Sequence, residues 1–213
     1  ERLTSSSIHR PVVKRAVNPF SKRASMVLRV LFERPAESLR FIDLAAQTGL
    51  AAGWASGVVD EIVNRGYAER STAGIRLADP ASALRDWLVA YAWTKNERRS
   101  YVVPYAPDEL PRRLAMFVHK PTVAWALTLL SAVQRLIGYV RGEGPVHVYV
   151  RAEEAVLQHA LKQLFAEPSV GEGELSILTP YYGKAAFYGE QNVNDATTVS
   201  DLQLFLDLAH FPV

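Results

Sequence analysis

The 213-residue chain contains no cysteine. That excludes disulfides and thiolate chemistry, and fits a reducing, cytoplasmic setting. No window offers the 18 or so uninterrupted apolar residues that a membrane-spanning helix requires. The opening "ERLTSSSIHRPVVKRAV" has no apolar core of the kind a signal peptide carries. There is no internal repeat, and no low-complexity run beyond Ser5–Ser7. The five histidines, at positions 9, 119, 147, 159 and 210, are scattered without metal-ligand spacing, and no serine lies in a nucleophile-elbow pattern. No cofactor is expected.

Charge is scarce overall and unevenly placed. The net value is +2, yet residues 1–113 hold 18 Lys/Arg against 12 Asp/Glu, while residues 114–213 hold 6 against 10. A basic front and an acidic back suggest that the front half meets a polyanion.

Four parts are expected along the chain. Residues 1–20 read as a tail bearing His9, Arg10, Lys14 and Arg15. Residues 21–80 carry helical periods broken at the right places. Val27, Leu28, Leu31 and Phe32 share one face until Pro35, and Ser38 is placed to cap a second helix through "FIDLAAQTG" that Gly49 stops. Ala55, Val58, Val59 and Ile62 then recur at helical spacing until Gly66. Two short alternating runs, 67–70 and 75–78, are joined by a turn containing Gly74 and read as a hairpin. Helix, short helix, turn, helix, hairpin is the order of a winged helix-turn-helix, whose second motif helix enters the DNA major groove while the wing lies along the backbone. Residues 81–100 read as a connecting helix, with Leu84, Trp87, Leu88 and Tyr91 on one face, followed by the linker "TKNERRS". Residues 101–213 alternate strands and helices, so an α/β or α+β domain is expected. Within it "TVAWALTLLSAVQRLIG" reads as one long buried helix, "AAFYGE" as a strand, and "SDLQLFLDLAHF" as a closing helix capped by Ser200.

Four segments, "LRFIDLAAQTGLAAGWASGVVDEIVNRGYAER", "GIRLADPASALRDWLVAY", "AWALTLLSA" and "VSDLQLFLDLAHFPV", together resemble the AbiEi-type antitoxin family of type IV toxin–antitoxin systems. The resemblance spans nearly the whole chain, and the S-D-x-Q-L-x-L-D-L run is its most specific part. It implies a DNA-binding winged helix followed by a domain related in fold to nucleotidyltransferases; that this domain is non-catalytic is expected from the catalytic motif it lacks. It also implies a transcriptional regulator that represses its own operon and opposes a nucleotidyltransferase toxin without a stable complex; a homo-oligomer on DNA is a separate expectation.

The helix that would read DNA departs from the usual chemistry. Its outward residues at the front are Ala52, Gly53, Trp54, Ser56 and Gly57, with Asp60 a turn further on. Bidentate base reading wants Arg, Asn or Gln, so only Ser56 offers a generic hydrogen bond there. Small residues permit close approach to the groove floor. Trp54 either meets a thymine methyl or sugar, or packs against the rest of the chain. Phosphate contact is expected from the flanks: Lys22 and Arg23 ahead of the first helix, Arg40 ahead of the second, Arg70 and Arg76 on the hairpin.

For catalysis, a nucleotidyltransferase needs a Gly-Ser turn and paired carboxylates. Glu172 and Glu174 in "GEGEL" have no Gly-Ser turn ahead of them, and "YYGKAA" holds a lone Gly-Lys without a phosphate-cradling loop. Two alternatives stay open: a nucleotide-binding or catalytic site within 101–213, and a winged helix that serves protein interaction.

Overall fold

The computed structural model describes residues 17–117, 123–138 and 144–211. It is a mixed α/β structure. Among the described residues no helix is long and apolar enough to cross a membrane.

The first half folds from its periods. Helix α1 (Ser25–Glu33) buries Val27, Leu28, Val30 and Leu31. Helix α2 (Phe41–Thr48) buries Leu44 and Ala45 and ends on Gly49 at φ 63, a left-handed conformation that glycine adopts without a Cβ penalty. Helix α3 (Ala52–Asn64) buries the four residues expected, Ala55, Val58, Val59 and Ile62. Strands β1 (Ala68–Ser71) and β2 (Gly74–Leu77) pair antiparallel as the hairpin. Ser38 does not cap α2: Arg40 occupies the N-cap without a side-chain bond. The reason is that Leu39 is drawn into an antiparallel bridge with Ile75, each amide donating to the other's carbonyl at 2.9 and 2.8 Å. Gly74 makes room for this. Its φ is +134, and a Cβ there would lie 2.5 Å from the Leu39 carbonyl oxygen.

Helix α4 (Pro80–Ala90) starts at Asp79, whose carboxylate accepts from the Ser82 amide, with Pro80 just inside. The helix is shorter than expected, because Tyr91 turns the backbone extended. The anticipated linker is a single 3-10 turn, Trp93–Lys95, followed at once by strand β3 (Glu97–Val102).

The second half is built on a seven-stranded mixed sheet. Helix α5 (Leu110–Phe117) precedes strand β4 (Ala124–Leu127), helix α6 (Leu129–Ile137), strand β5 (Val146–Arg151) and helix α7 (Glu154–Gln163). Strands β6 (Glu167–Ser169), β7 (Leu175–Thr179), β8 (Gln191–Val193) and β9 (Ala196–Thr198) follow, and helix α8 (Asp201–His210) closes the described chain. The sheet order is β6-β3-β7-β5-β4-β9-β8, with β5/β7 and β4/β9 parallel and the other neighbours antiparallel.

Three expectations are corrected here. The long helix over "TVAWALTLLSAVQRLIG" is a strand and a shorter helix: "AWAL" pairs with β5 and β9, and Thr128 breaks the run in extended conformation. An apolar stretch buried in a central strand has no period that separates it from a buried helix. The "AAFYGE" strand is instead the end of a 3-10 helix, Gly183–Phe187. The tail ends earlier than residue 20, since Phe20 is buried against Tyr67 and Trp87. His9, Arg10, Lys14 and Arg15 lie outside the described residues. Ser200 does cap α8, accepting from the Gln203 amide at 3.3 Å.

One apolar core runs from Phe20 to Leu206 through both halves. At its seam lies a buried polar chain. Trp87 Nε1 donates to the Tyr182 hydroxyl at 2.8 Å, and that hydroxyl donates to the Phe20 carbonyl at 2.7 Å. The Arg29 guanidinium, 1% exposed, lies 5.2 Å from the rings of both Trp87 and Tyr182 and donates to Gln203 Oε1 at 2.7 Å. Gln203 Nε2 in turn donates to Asp207 at 2.8 Å. Asp207 also accepts from Thr128 at 2.6 Å, Tyr149 at 2.9 Å and Tyr91. Gln203 and Asp207 of the S-D-x-Q-L-x-L-D-L run, one helical turn apart, thus face inward and tie α1, β5 and the residues that follow α4 and β4 to α8.

Candidate nucleic-acid interface

The turn Gly49–Ala51 delivers α3 with its first turn outward. Ala52 and Gly53 are exposed, and a Cβ at Gly53 would meet nothing within 4 Å. Ser56 and Gly57 are half-buried, and Gly57 faces Val17, whose Cγ2 a Cβ would approach to 3.9 Å. Trp54 is half-buried: one side packs on the core, and the Arg23 guanidinium lies 5.2 Å from the ring centroid. It therefore takes part in packing while keeping an open side. A guanidinium over an indole is held by the ring's negative face without losing its charge.

The five candidate cations divide into two groups. Arg40 is paired with Asp43 at 2.7 Å, Arg70 with Asp60 at 2.9 Å, and Arg76 with Glu69 at 2.5 Å. The Arg76 pair is cross-strand, since Glu69 and Arg76 stand opposite in the hairpin register. The Arg70 pair links the hairpin to α3. All six side chains are at least 40% exposed, and pairs of this kind contribute only about 0–1 kcal/mol each. Lys22 and Arg23 form the second group. Both are exposed, and neither has a carboxylate partner among the described residues.

These two cations line a concavity of about 370 Å³ that opens beside Gly49 and Leu50, at the entry to α3. Its far wall is Tyr182 and Lys184, from the second half of the chain. The sequence had singled out Lys22 and Arg23, but Lys184 was passed over as a lone Gly-Lys. Nothing in a linear reading places residue 184 next to residue 22.

The carboxylates examined for catalysis have separate surroundings. Glu172 is exposed, whereas Glu174 accepts from the Val103 amide at 3.1 Å and pins the end of β3. Gly173 between them presses on the Tyr101 carbonyl, where a Cβ would overlap. No group of three or more His, Asp or Glu suited to a metal occurs among the described residues. His147 lies at the edge of a cleft of about 550 Å³ with Ser131, Arg135 and Glu172. Burial, helped by Arg98, pushes its imidazole down to about 4, so it is neutral at pH 7.

Comparison with protein-family models, with curated proteins and with solved structures returns no match. The functional reading therefore rests on the residues of the chain itself.

Proposed function

We propose that the chain is a cytoplasmic, DNA-binding transcriptional regulator of the type IV antitoxin kind. In this reading α1–α3 and the hairpin act as a winged helix, with the Leu39–Ile75 bridge tying the segment ahead of α2 to the wing. Residues 101–213 act as a non-catalytic, nucleotidyltransferase-like domain. The observation that carries the reading is the unneutralised pair Lys22 and Arg23 standing beside a side-chain-poor first turn of α3. Small residues let the helix backbone approach a groove floor, while the cations take phosphates and position the protein without reading bases.

The paired arginines favour a second reading, in which the same surface binds a protein. Arg40, Arg70 and Arg76 already hold carboxylates and must exchange them for phosphates if they touch DNA.

The test is binding of the full chain to a labelled duplex carrying the segment upstream of its own coding sequence, over a range of salt. Affinity should fall steeply with salt, and Lys22→Ala with Arg23→Ala should reduce the log–log slope by about 0.9 per lost contact. Trp54→Ala should lower affinity and leave the slope unchanged, because an apolar contact is not screened. Absence of binding at low salt favours the protein-interaction reading.

A further inference from the structure

The second half of the chain brings a cation to the proposed DNA face. Lys184 is exposed on the 3-10 helix Gly183–Phe187, and with Lys22 and Arg23 it surrounds the concavity beside the entry to α3. The approach is close. Gly183 has φ +57, and a methyl group there would lie 2.7 Å from Cε and 3.1 Å from Nζ of Lys22. The end of the Lys22 side chain thus lies against the start of the 3-10 helix, and both lysines line one concavity.

Gathering three cations is unfavourable unless something negative offsets it. Among the described residues Arg40, Arg65, Arg70, Arg76, Arg99 and Arg113 each hold a carboxylate, while Arg85, Arg98, Arg112, Arg135 and Arg151 hold none but stand apart from the concavity. Lys22, Arg23 and Lys184 have no such partner among the described residues. Met26, Thr48, Leu50 and the largely buried Tyr182 line the concavity between the three cations, and no carboxylate lines it. Its chemistry suits a phosphate group.

We propose that Lys22, Arg23 and Lys184 form a phosphate clamp spanning the seam, so that the second half contacts the DNA backbone next to the groove entered by α3. This rests on the DNA-binding reading and extends it: the duplex is held by both halves of the chain, and the Gly183–Lys184 pair earns its place by geometry instead of by a nucleotide-binding loop. Because the apolar core is continuous from Phe20 to Leu206, the third cation is carried on the same packed body as α3.

The experiment compares wild type, Lys184→Ala, Lys184→Arg and Lys162→Ala on the same labelled upstream duplex across a salt series. Lys162 lies in the last turn of α7, away from the concavity, and serves as the charge control. Lys184→Ala should bind several-fold more weakly at low salt, with the slope reduced by about 0.9. Lys184→Arg should restore the slope, Lys162→Ala should leave it unchanged, and all four should melt alike. Wild type that binds with the expected slope while Lys184→Ala binds identically overturns the clamp and leaves the DNA reading standing. Equal losses from Lys184→Ala and Lys162→Ala also overturn it, since the effect is then overall charge. A melting temperature raised by inorganic pyrophosphate in wild type but not in Lys184→Ala, with DNA binding unchanged, assigns the concavity to a free anion and overturns it too. Failure of wild type to bind any duplex removes the DNA reading and the clamp together.

Discussion

Asp207 is fully buried, and its carboxylate accepts four hydrogen bonds, from Thr128, Tyr91, Tyr149 and Gln203. Two effects compete on it. Desolvation disfavours the charged form, while the four donors favour it. Desolvation wins, and the carboxyl is raised from 3.8 to about 6. A folded-state value above the unfolded one contributes stability that is fully present below the unfolded value. That stability is lost as pH rises through the folded value. At 1.36 kcal/mol per pH unit, the Asp207 contribution is about 3 kcal/mol, lost between about pH 4 and pH 6. His147 does the opposite in nearly the same window. Its imidazole is depressed from 6.5 to about 4, so it contributes about 3 kcal/mol above pH 6.5 that is lost as pH falls toward 4. The two oppose each other, and the wild type conceals both. Asp207→Asn removes one of them with little change of shape. Urea unfolding, followed through the buried Trp87 and Trp93, should show a destabilisation by the variant that is larger near pH 4 than near pH 7.5 by roughly 2 kcal/mol. Equal m-values would confirm that the same surface unfolds. A difference that is flat with pH would refute the reasoning, because the four donors would then balance burial. A difference of the opposite sign would do so more strongly.

Two further outcomes follow from the seam and the hairpin. Tyr182→Phe removes the hydroxyl that joins Trp87 Nε1 to the Phe20 carbonyl, leaving both partners buried and unpaired; urea unfolding should record a loss of about 2–4 kcal/mol. Gly74→Ala places a Cβ 2.5 Å from the Leu39 oxygen at φ +134; it should cost about 2 kcal/mol, and hydrogen exchange should show the Leu39 and Ile75 amides losing protection.

The local periods and stop signals of the first half were legible without tertiary information. The apolar faces of α1 and α3, the glycine after α2 and the hairpin all follow from spacing and turn chemistry, which act between residues a few positions apart. The inward positions of α3, and hence the exposure of Ala52 and Gly53, came with that register. The serine cap of α8 was readable for the same reason. What the sequence left open were the features decided by distant partners. "AWAL" is a strand because β5 and β9 flank it, and Ser38 loses its cap because Leu39 pairs with Ile75, 36 positions away. Gln203 and Asp207 stand in the closing helix, and nothing in their own spacing marks them as buried. They are buried because Arg29, Tyr91, Thr128 and Tyr149 converge on them from other elements. The division of the cations is likewise tertiary. Composition counts Arg70 and Lys22 alike, but only the fold brings Asp60 to Arg70 and Lys184 to Lys22. Periodicity records which way a side chain faces along its own element. What meets it there depends on chain closure over tens of residues, which local spacing does not encode.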